Sequence, residues 1–111
     1  MVSAQQKIEL YVTQNGRVPF QDWLESLKDI SARALVRVRL DRIRLGNFGD
    51  CKHVGTGIFE LRVNFGPGYR VYFGRIGGKI VLLLFGGNKS GQKKDILKAH
   101  EYWTEYRRSH K

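Results

Sequence analysis

The sequence has little of what common catalytic centres are built from. Its one cysteine, Cys51, can form no internal disulfide and has no ligand partners at the spacing of a zinc site. The three histidines, at positions 53, 100 and 110, include no i, i+4 pair. No Ser-His-Asp arrangement or pair of carboxylates can be recognised. We therefore expect neither a metal site nor a cysteine nucleophile, and we expect no cofactor.

Long hydrophobic runs are also missing. The longest apolar run, residues 80–85, has the length of a buried strand rather than of a membrane span. The first seven residues contain no apolar signal region, so nothing indicates export. No linker, repeat or low-complexity tract divides the 111 residues. We expect a single domain over residues 1–111, cytoplasmic and without a membrane partner.

Acidic residues are scarce. The chain has 20 Lys and Arg against 10 Asp and Glu, which gives a formal net charge of +10. The excess is uneven, because residues 1–30 carry three cations and four acids. The remaining two thirds of the chain therefore carry all of the positive excess. This asymmetry predicts contact with nucleic acid or with an acidic protein.

Hydrophobic periodicity predicts an α+β fold: a small, twisted, mainly antiparallel sheet with a mixed edge, two N-terminal helices and one C-terminal helix. The segment 31–45 fits both a strand and a helix, and its length and capping residues favour a helix with five exposed arginines. The predicted elements are a strand in 5–12, a helix from Pro19, a helix over 31–45, a sheet over 52–86 with 79–85 as its central strand, a loop over 86–91 and a last helix.

The most informative segment is a predicted hairpin over residues 60–73. If residues 66–68 form its loop, period-two alternation places one set of residues on an apolar face: Leu61, Val63, Phe65, Tyr69, Val71 and Phe73. The other face carries Glu60, Arg62, Asn64, Arg70 and Tyr72, and this register pairs Arg62 with Tyr72. Two guanidiniums beside a phenol suit a phosphodiester. A merely solvated sheet face is the alternative, and Glu60 could act as a base or only pair with an arginine.

Five blocks of sequence resemble the RelE/ParE toxin superfamily, in the HigB-like branch of addiction-module killer proteins. They cover almost the whole chain: Phe20-x-x-Trp23-Leu24-x-x-Leu27-Lys28-Asp29, Gly46-Asn47-Phe48-Gly49-Asp50, Glu60-Leu61-Arg62, Gly66-Pro67-Gly68-Tyr69-Arg70-Val71-Tyr72-Phe73 and Leu83-Leu84-x-Gly86-Gly87-x-Lys89-x-x-Gln92-x-x-Asp95-Ile96. The resemblance implies a type II toxin that is neutralised by a helix-turn-helix antitoxin. It also implies a metal-independent endoribonuclease, an mRNA interferase that cuts message on the ribosome and inhibits translation.

The resemblance assigns roles to individual residues. Arg70 looks like the family's phosphate-stabilising arginine, Arg62 like a cation of the preceding strand, and Lys89 like the cation after the last strand. Tyr72 is a candidate for base stacking or proton transfer. Because residues 92–95 depart from the Tyr or His that relatives carry near the last helix, the general acid stays open between Asp95, Tyr72 and His53. We predict that RNA is also contacted by Lys52, His53, Asn64, Lys93 and Lys94.

The sequence leaves two other functions open. The superfamily also includes ParE-like inhibitors of DNA gyrase, which cut no RNA, and an inactive remnant could bind only its antitoxin. The antitoxin could contact either the cationic helix 31–45 or the polar sheet face through acidic residues.

Overall fold

The computed structural model describes residues 4–110 and confirms the α+β class. A strand precedes the two N-terminal helices, so the helices are the second and third elements. Residues 1–3, part of the segment on which the export expectation depends, lie outside the described residues. The elements are β1 Lys7–Leu10, α1 Pro19–Ser26, α2 Ile30–Arg44, β2 Cys51–Gly55, β3 Ile58–Val63, β4 Tyr69–Ile76, β5 Ile80–Asn88, a 3-10 turn Lys89–Gly91 and α3 Gln92–Ser109.

The five strands form one mixed sheet in the order β1-β5-β4-β3-β2. β1 runs parallel to β5, and all other neighbours are antiparallel. The prediction that residues 79–85 form the central strand is wrong, because β4 holds that place. β5 is nevertheless buried on both faces, since α1 packs on one side and α3 on the other, and this explains its continuous apolar run.

The two N-terminal helices form where their local signals predict. Pro19 is the first residue of α1, where its missing N–H costs nothing. The carboxylate of Asp29 caps α2 by accepting hydrogen bonds from the backbone N–H of Ser31 at 2.9 Å and of Ala32 at 3.3 Å. Both helices pack on the predicted apolar face of the hairpin, around Val36 and Phe73.

One of the five arginines of α2 does not coat the exposed side as predicted. Arg39 Nη1 donates to the carbonyl oxygen of Arg62 at 2.5 Å, and its Nη2 donates to that of Asp50 at 3.3 Å. Burial lowers the pKa of the Arg39 guanidinium, although its carbonyl partners satisfy its donors. Arg39 therefore ties α2 to β3 and to the loop before β2.

α3 covers the opposite face of the sheet, where Tyr72, Leu84 and Trp103 are buried together. The Trp103 ring lies directly on Gly74 of β4, and a Cβ at that position would overlap it. This close approach seats α3 over the polar face predicted for the hairpin. Within residues 4–110, no helix is both long and apolar enough to cross a membrane.

The hairpin between β3 and β4 keeps its predicted faces but not its predicted register. Arg62 lies opposite Arg70, and Glu60 lies opposite Tyr72, so the pairing of Arg62 with Tyr72 is wrong. The loop is longer than predicted, because Val63 pairs with Tyr69 and residues 64–68 all belong to the turn. A register shift of two residues leaves every side chain on its face, whereas a shift of one would have exchanged the faces.

The predicted loop at 86–91 begins three residues later than expected, because Gly86, Gly87 and Asn88 are part of β5. Each glycine lets a side chain approach the strand from a different face. A Cβ on Gly86 would overlap the Trp23 ring of α1, and one on Gly87 would overlap the Asp95 carboxylate of α3. The glycines therefore serve close packing rather than a turn.

Candidate functional site

The carboxylate of Glu60 organises the polar face of the sheet. Glu60 is fully buried, and its Oε1 accepts a hydrogen bond from Arg62 Nε at 3.2 Å. The same oxygen lies 3.6 Å from Arg70 Nε, while Oε2 accepts from Gln92 Nε2 at 2.7 Å. One carboxylate thus holds two guanidiniums on adjacent strands and the first residue of α3.

Arg62 and Arg70 face each other directly across β3 and β4. Like charges at opposed positions repel, so the shared Glu60 carboxylate is what makes this pairing tolerable. The two arginines differ in access to solvent, because the Arg62 side chain is 32% exposed and that of Arg70 is 9% exposed. The cluster keeps one net positive charge that an external anion can reach through Arg62 and the end of Arg70.

A groove adjoins this cluster at the hairpin loop. It has a volume of about 300 Å³ and is lined by residues 64–68 together with Arg70 and Lys89. The backbone N–H of Lys89 donates to the carbonyl of Gly68 at 2.7 Å, which fixes the 3-10 turn after β5 against the loop. Lys89 is exposed at the rim, so cations line two sides of the groove. These cations make the groove a candidate site for an anion.

Tyr72 lies beside the cluster but is closed to a ligand. Its side chain is fully buried, so no ring face is open for a base to stack on. Within residues 4–110 its buried hydroxyl has no hydrogen-bond partner, and burial together with the Glu60 charge raises the pKa of the phenol. The structure therefore does not bring Tyr72 into position for stacking.

Asp95, in the first turn of α3, is partly exposed at the same end of the sheet. Its carboxylate packs on Gly87, the cross-strand neighbour of Arg70. Burial raises the pKa of Asp95, and Lys94 only partly opposes this shift. A partly exposed carboxyl group with a raised pKa is a candidate for proton transfer.

The structure places the other predicted RNA-contacting residues unevenly. Lys52 lies opposite Glu60 in the register of β2 and β3, and its side chain is exposed on the polar face. Asn64 lines the groove, and Lys93 and Lys94 are exposed at the start of α3. His53 is not brought to this face, because it pairs with Phe59 and packs edge-to-face on that ring, 5.1 Å between centroids, on the side of α1 and α2.

Sequence reasoning assigned no role to Gln92 and left that of Glu60 open. Period-two alternation placed Glu60 on the polar face, but nothing in the sequence showed that α3 would seal it. Burial raises the pKa of the Cys51 thiol to about 11, which disfavours its thiolate form. Among residues 4–110, no group of three His, Cys, Asp or Glu side chains could hold a metal ion.

The fold and the site define a small α+β protein with a guanidinium–carboxylate cluster beside a cationic groove. The chain is 51% identical over 80 residues to an uncharacterized protein of Haemophilus influenzae strain Rd, a match that covers 72% of this chain and 81% of that protein. The chain belongs to the same family as that protein. No protein-family model matches the sequence.

Proposed function

We propose that this protein is the toxin of a type II toxin-antitoxin module, a HigB-like member of the RelE/ParE superfamily that cuts mRNA on the ribosome. The observation that carries the proposal is the opposed pair Arg62 and Arg70 beside a groove with Lys89 at its rim. This arrangement fits a phosphodiester, because guanidiniums can fork onto phosphate oxygens. The net charge of +10 supports a polyanionic target.

The proposed reaction needs charge stabilisation at phosphorus. The ribose 2′-hydroxyl gives its proton to a solvent water, its oxygen attacks the adjacent phosphorus, and the bond to the 5′-oxygen then breaks. The products are a 2′,3′-cyclic phosphate and a 5′-hydroxyl end. Arg62, Arg70 and Lys89 neutralise the pentavalent intermediate, and a well-placed donor of this kind contributes about 3 kcal/mol by analogy with oxyanion holes.

The leaving 5′-oxygen needs a proton, and the three candidate acids differ in their surroundings. His53 lies on the other face of the sheet, and the hydroxyl of Tyr72 is buried. Asp95 is partly exposed and has a raised pKa, so it is the candidate best suited to hold a proton and release it. We assign the role of general acid to Asp95. The partners of such a toxin are the ribosome, mRNA and a helix-turn-helix antitoxin.

The test is cleavage of message in a reconstituted translation system, with 5′ ends mapped by primer extension. Wild-type protein is compared with Arg70→Ala, with Arg70→Lys and with the control Arg42→Ala. Arg42 is exposed on α2, away from the groove. Arg42→Ala lowers the net charge by the same amount as Arg70→Ala. We expect codon-phased cuts with wild type and Arg42→Ala. We expect none with Arg70→Ala, and a large loss with Arg70→Lys, because lysine cannot fork onto a phosphate.

Thermal melts of each variant separate loss of chemistry from loss of fold, since Arg70→Ala removes one partner of a buried carboxylate. Intact message with folded wild-type protein would refute the proposal. In that case, DNA gyrase supercoiling assays distinguish a ParE-like inhibitor from a protein that only binds its antitoxin. Equal cleavage by wild type and folded Arg70→Ala would refute the role of the arginine.

A further inference from the structure

Each arginine of the cluster meets the Glu60 carboxylate through its Nε edge. Arg62 Nε lies 3.2 Å and Arg70 Nε 3.6 Å from the same carboxylate oxygen. Among residues 4–110, the terminal amino groups of Arg62 donate no hydrogen bond, and Arg70 Nη1 makes one long contact of 3.5 Å with the carbonyl of Tyr69. Because a guanidinium carries five N–H groups, most donors of both arginines are left for an external oxyanion.

The terminal donors of Arg70 reach the groove at the hairpin loop. Gly68 lines that groove, and a Cβ added there would lie 3.7 Å from Arg70 Nη1 and 3.5 Å from the Cβ of Lys89. The Nη1 end of Arg70 and the Lys89 side chain therefore flank the same glycine. A contact that fixes the Nε edge of Arg70 thereby also fixes where its terminal donors lie in the groove.

Glu60 can fix these edges only while its own carboxylate is held. The last torsion of a glutamate side chain is soft, so the carboxylate can turn unless both oxygens have partners. The oxygen that faces away from the arginines accepts a hydrogen bond from Gln92 Nε2 at 2.7 Å, which is shorter than either arginine contact. Gln92 is neutral, so it orients the carboxylate without adding a cation that would compete with the arginines.

One short segment supplies both this amide and the cation at the rim of the groove. Lys89 begins the 3-10 turn, and Gln92 begins α3 three residues later. The turn is fastened to the hairpin loop by the hydrogen bond from the backbone N–H of Lys89 to the carbonyl of Gly68. The position of Gln92 is therefore fixed relative to the groove.

We propose that Gln92 is a positioning residue, which acts through Glu60 to direct the terminal donors of Arg62 and Arg70 towards an oxyanion in the groove. The effect on mRNA cleavage rests on the proposed function, whereas the effect on anion binding does not. The alternative is a structural tie, in which Gln92 only fastens the start of α3 to the sheet. The two roles differ in what happens to the arginines when the amide is removed from a protein that stays folded.

The test follows the arginine Nε–H resonances of the full chain by NMR, with inorganic phosphate as the probe. Gln92→Met keeps the length of the side chain but removes its amide donor. The control is Gln21→Met, because Gln21 Nε2 donates to Glu25 Oε2 at 3.3 Å in an exposed pair on α1. The resonances are assigned with Arg62→Lys and Arg70→Lys.

We expect Gln92→Met to shift both arginine resonances and to raise the Kd for phosphate about fivefold, as loss of one hydrogen bond would. Gln21→Met should change neither. Gln92→Asn is the second variant, because it keeps a neutral amide at the start of α3 but withdraws it by one methylene from Glu60. It should change the arginine resonances as Gln92→Met does, and it carries the test if Gln92→Met does not fold.

Unchanged arginine resonances and phosphate affinity in a folded Gln92 variant would refute the proposal and leave the structural tie. Equal changes with Gln21→Met would also refute it, as would the absence of phosphate-dependent shifts at both arginines in wild type. Thermal melts establish which variants are folded.

In the reconstituted translation system, Gln92→Met should lower kcat about fivefold and leave the KM for message-bearing ribosomes unchanged. An unchanged kcat in the folded variant would refute the catalytic part of the proposal. If wild type binds phosphate in a Gln92-dependent way but leaves message intact, the proposed function fails and the positioning role stands. If wild type cuts message but the arginine resonances ignore Gln92, only the positioning role fails.

Discussion

At the scale of the residue, Glu60 has the most consequences because it is a buried charge with three partners. Its two oxygens contact Arg62, Arg70 and Gln92, so its neutralisation would affect two strands and α3 together. Burying a carboxylate is costly, and the cost is recovered only while both guanidiniums remain in place. The structure therefore links the integrity of the fold to the geometry of the proposed phosphate site.

Glu60→Gln should lower the free energy of unfolding by about 2 kcal/mol. The amide keeps the shape of the side chain but leaves Arg62 and Arg70 opposed without a counter-charge. Urea denaturation should show a lower midpoint with an unchanged slope. Glu9→Gln is the control, because its carboxylate forms an exposed ion pair with Lys7 at 3.4 Å, and such pairs contribute less than about 1 kcal/mol. Equal losses in the two variants would contradict the central role of Glu60.

Asp95→Asn should stabilise the protein relative to wild type as the pH rises. Burial raises the pKa of Asp95 above its ordinary value of 3.8, so the folded state holds the proton more tightly than the unfolded chain. Its favourable contribution is complete below about pH 3.8 and is lost as the pH rises through the folded pKa. Urea midpoints of both proteins across this range should therefore diverge towards neutral pH.

The control for this pH dependence is Asp22→Asn, because Asp22 occupies the first turn of α1 as Asp95 does that of α3. Both substitutions remove a carboxylate that favours the helix dipole. Only the Asp95 variant should gain stability relative to wild type at neutral pH. A constant difference at every pH, or the same trend with Asp22→Asn, would contradict the raised pKa.

At the scale of the element, the contact between the start of α3 and the end of β5 is steric. A Cβ on Gly87 would overlap the Asp95 carboxylate, and the backbone of Gly87 is not in the left-handed region. Gly87→Ala should therefore cost about 1–3 kcal/mol through overpacking. Asp95→Ala removes the carboxylate that the new Cβ would overlap. In a double-mutant cycle, the double variant should therefore recover most of the lost stability.

Gly16→Ala is the matched control for this cycle. Gly16 has a φ of 83°, and no atom of the described residues lies within 4 Å of the position of an added Cβ, so the cost of Gly16→Ala comes from the backbone alone. Asp95→Ala should recover none of the stability lost in Gly16→Ala. If Gly87→Ala and Asp95→Ala were additive, the start of α3 would not be held in the way that the structure shows.

The elements also show what the sequence could reveal. Helices α1 and α2 follow from local signals, such as Pro19 at the first position and the Asp29 cap. The faces of the hairpin follow from the period-two alternation. The predicted faces are correct although the predicted register is wrong by two residues, because a shift of two keeps each side chain on its face. The register itself depends on how many residues belong to the turn. Asn64 and Phe65 could either extend the strand pairing or join the turn, and the energies of these two arrangements decide the register. Alternation along a strand does not report that balance.

The site was less predictable than the fold for a related reason. Arg62, Arg70 and Glu60 share a face that the sequence revealed, but their burial depends on where α3 crosses the sheet. That crossing is set by Gly74 under Trp103 and by Gly87 under Asp95, which are contacts between residues distant in sequence. Gly87 itself was predicted to lie in a loop, because glycine pairs usually mark turns.

At the scale of the whole molecule, the net charge of +10 should make the proposed affinity for RNA strongly dependent on salt. For single strands, the logarithm of the association constant falls by about 0.7 per neutralised phosphate for each unit in the logarithm of salt concentration. If Lys89 contacts one phosphate, Lys89→Ala should reduce that slope by about 0.7. Arg42→Ala should leave the slope unchanged. An equal reduction in both variants would show that RNA binding depends on the net charge and not on the position of the cation.

The parallel pairing of β1 with β5 has a consequence for how the chain is made. Lys7 of β1 lies beside Ile80 of β5. The first strand to be synthesised therefore cannot pair until the last strand has been made. While β5 is still inside the ribosomal exit tunnel, the nascent chain can close neither this edge of the sheet nor the groove between Arg70 and Lys89. α3, which seals Glu60, is made later still. The proposed phosphate site is therefore completed only after both β5 and α3 have left the tunnel.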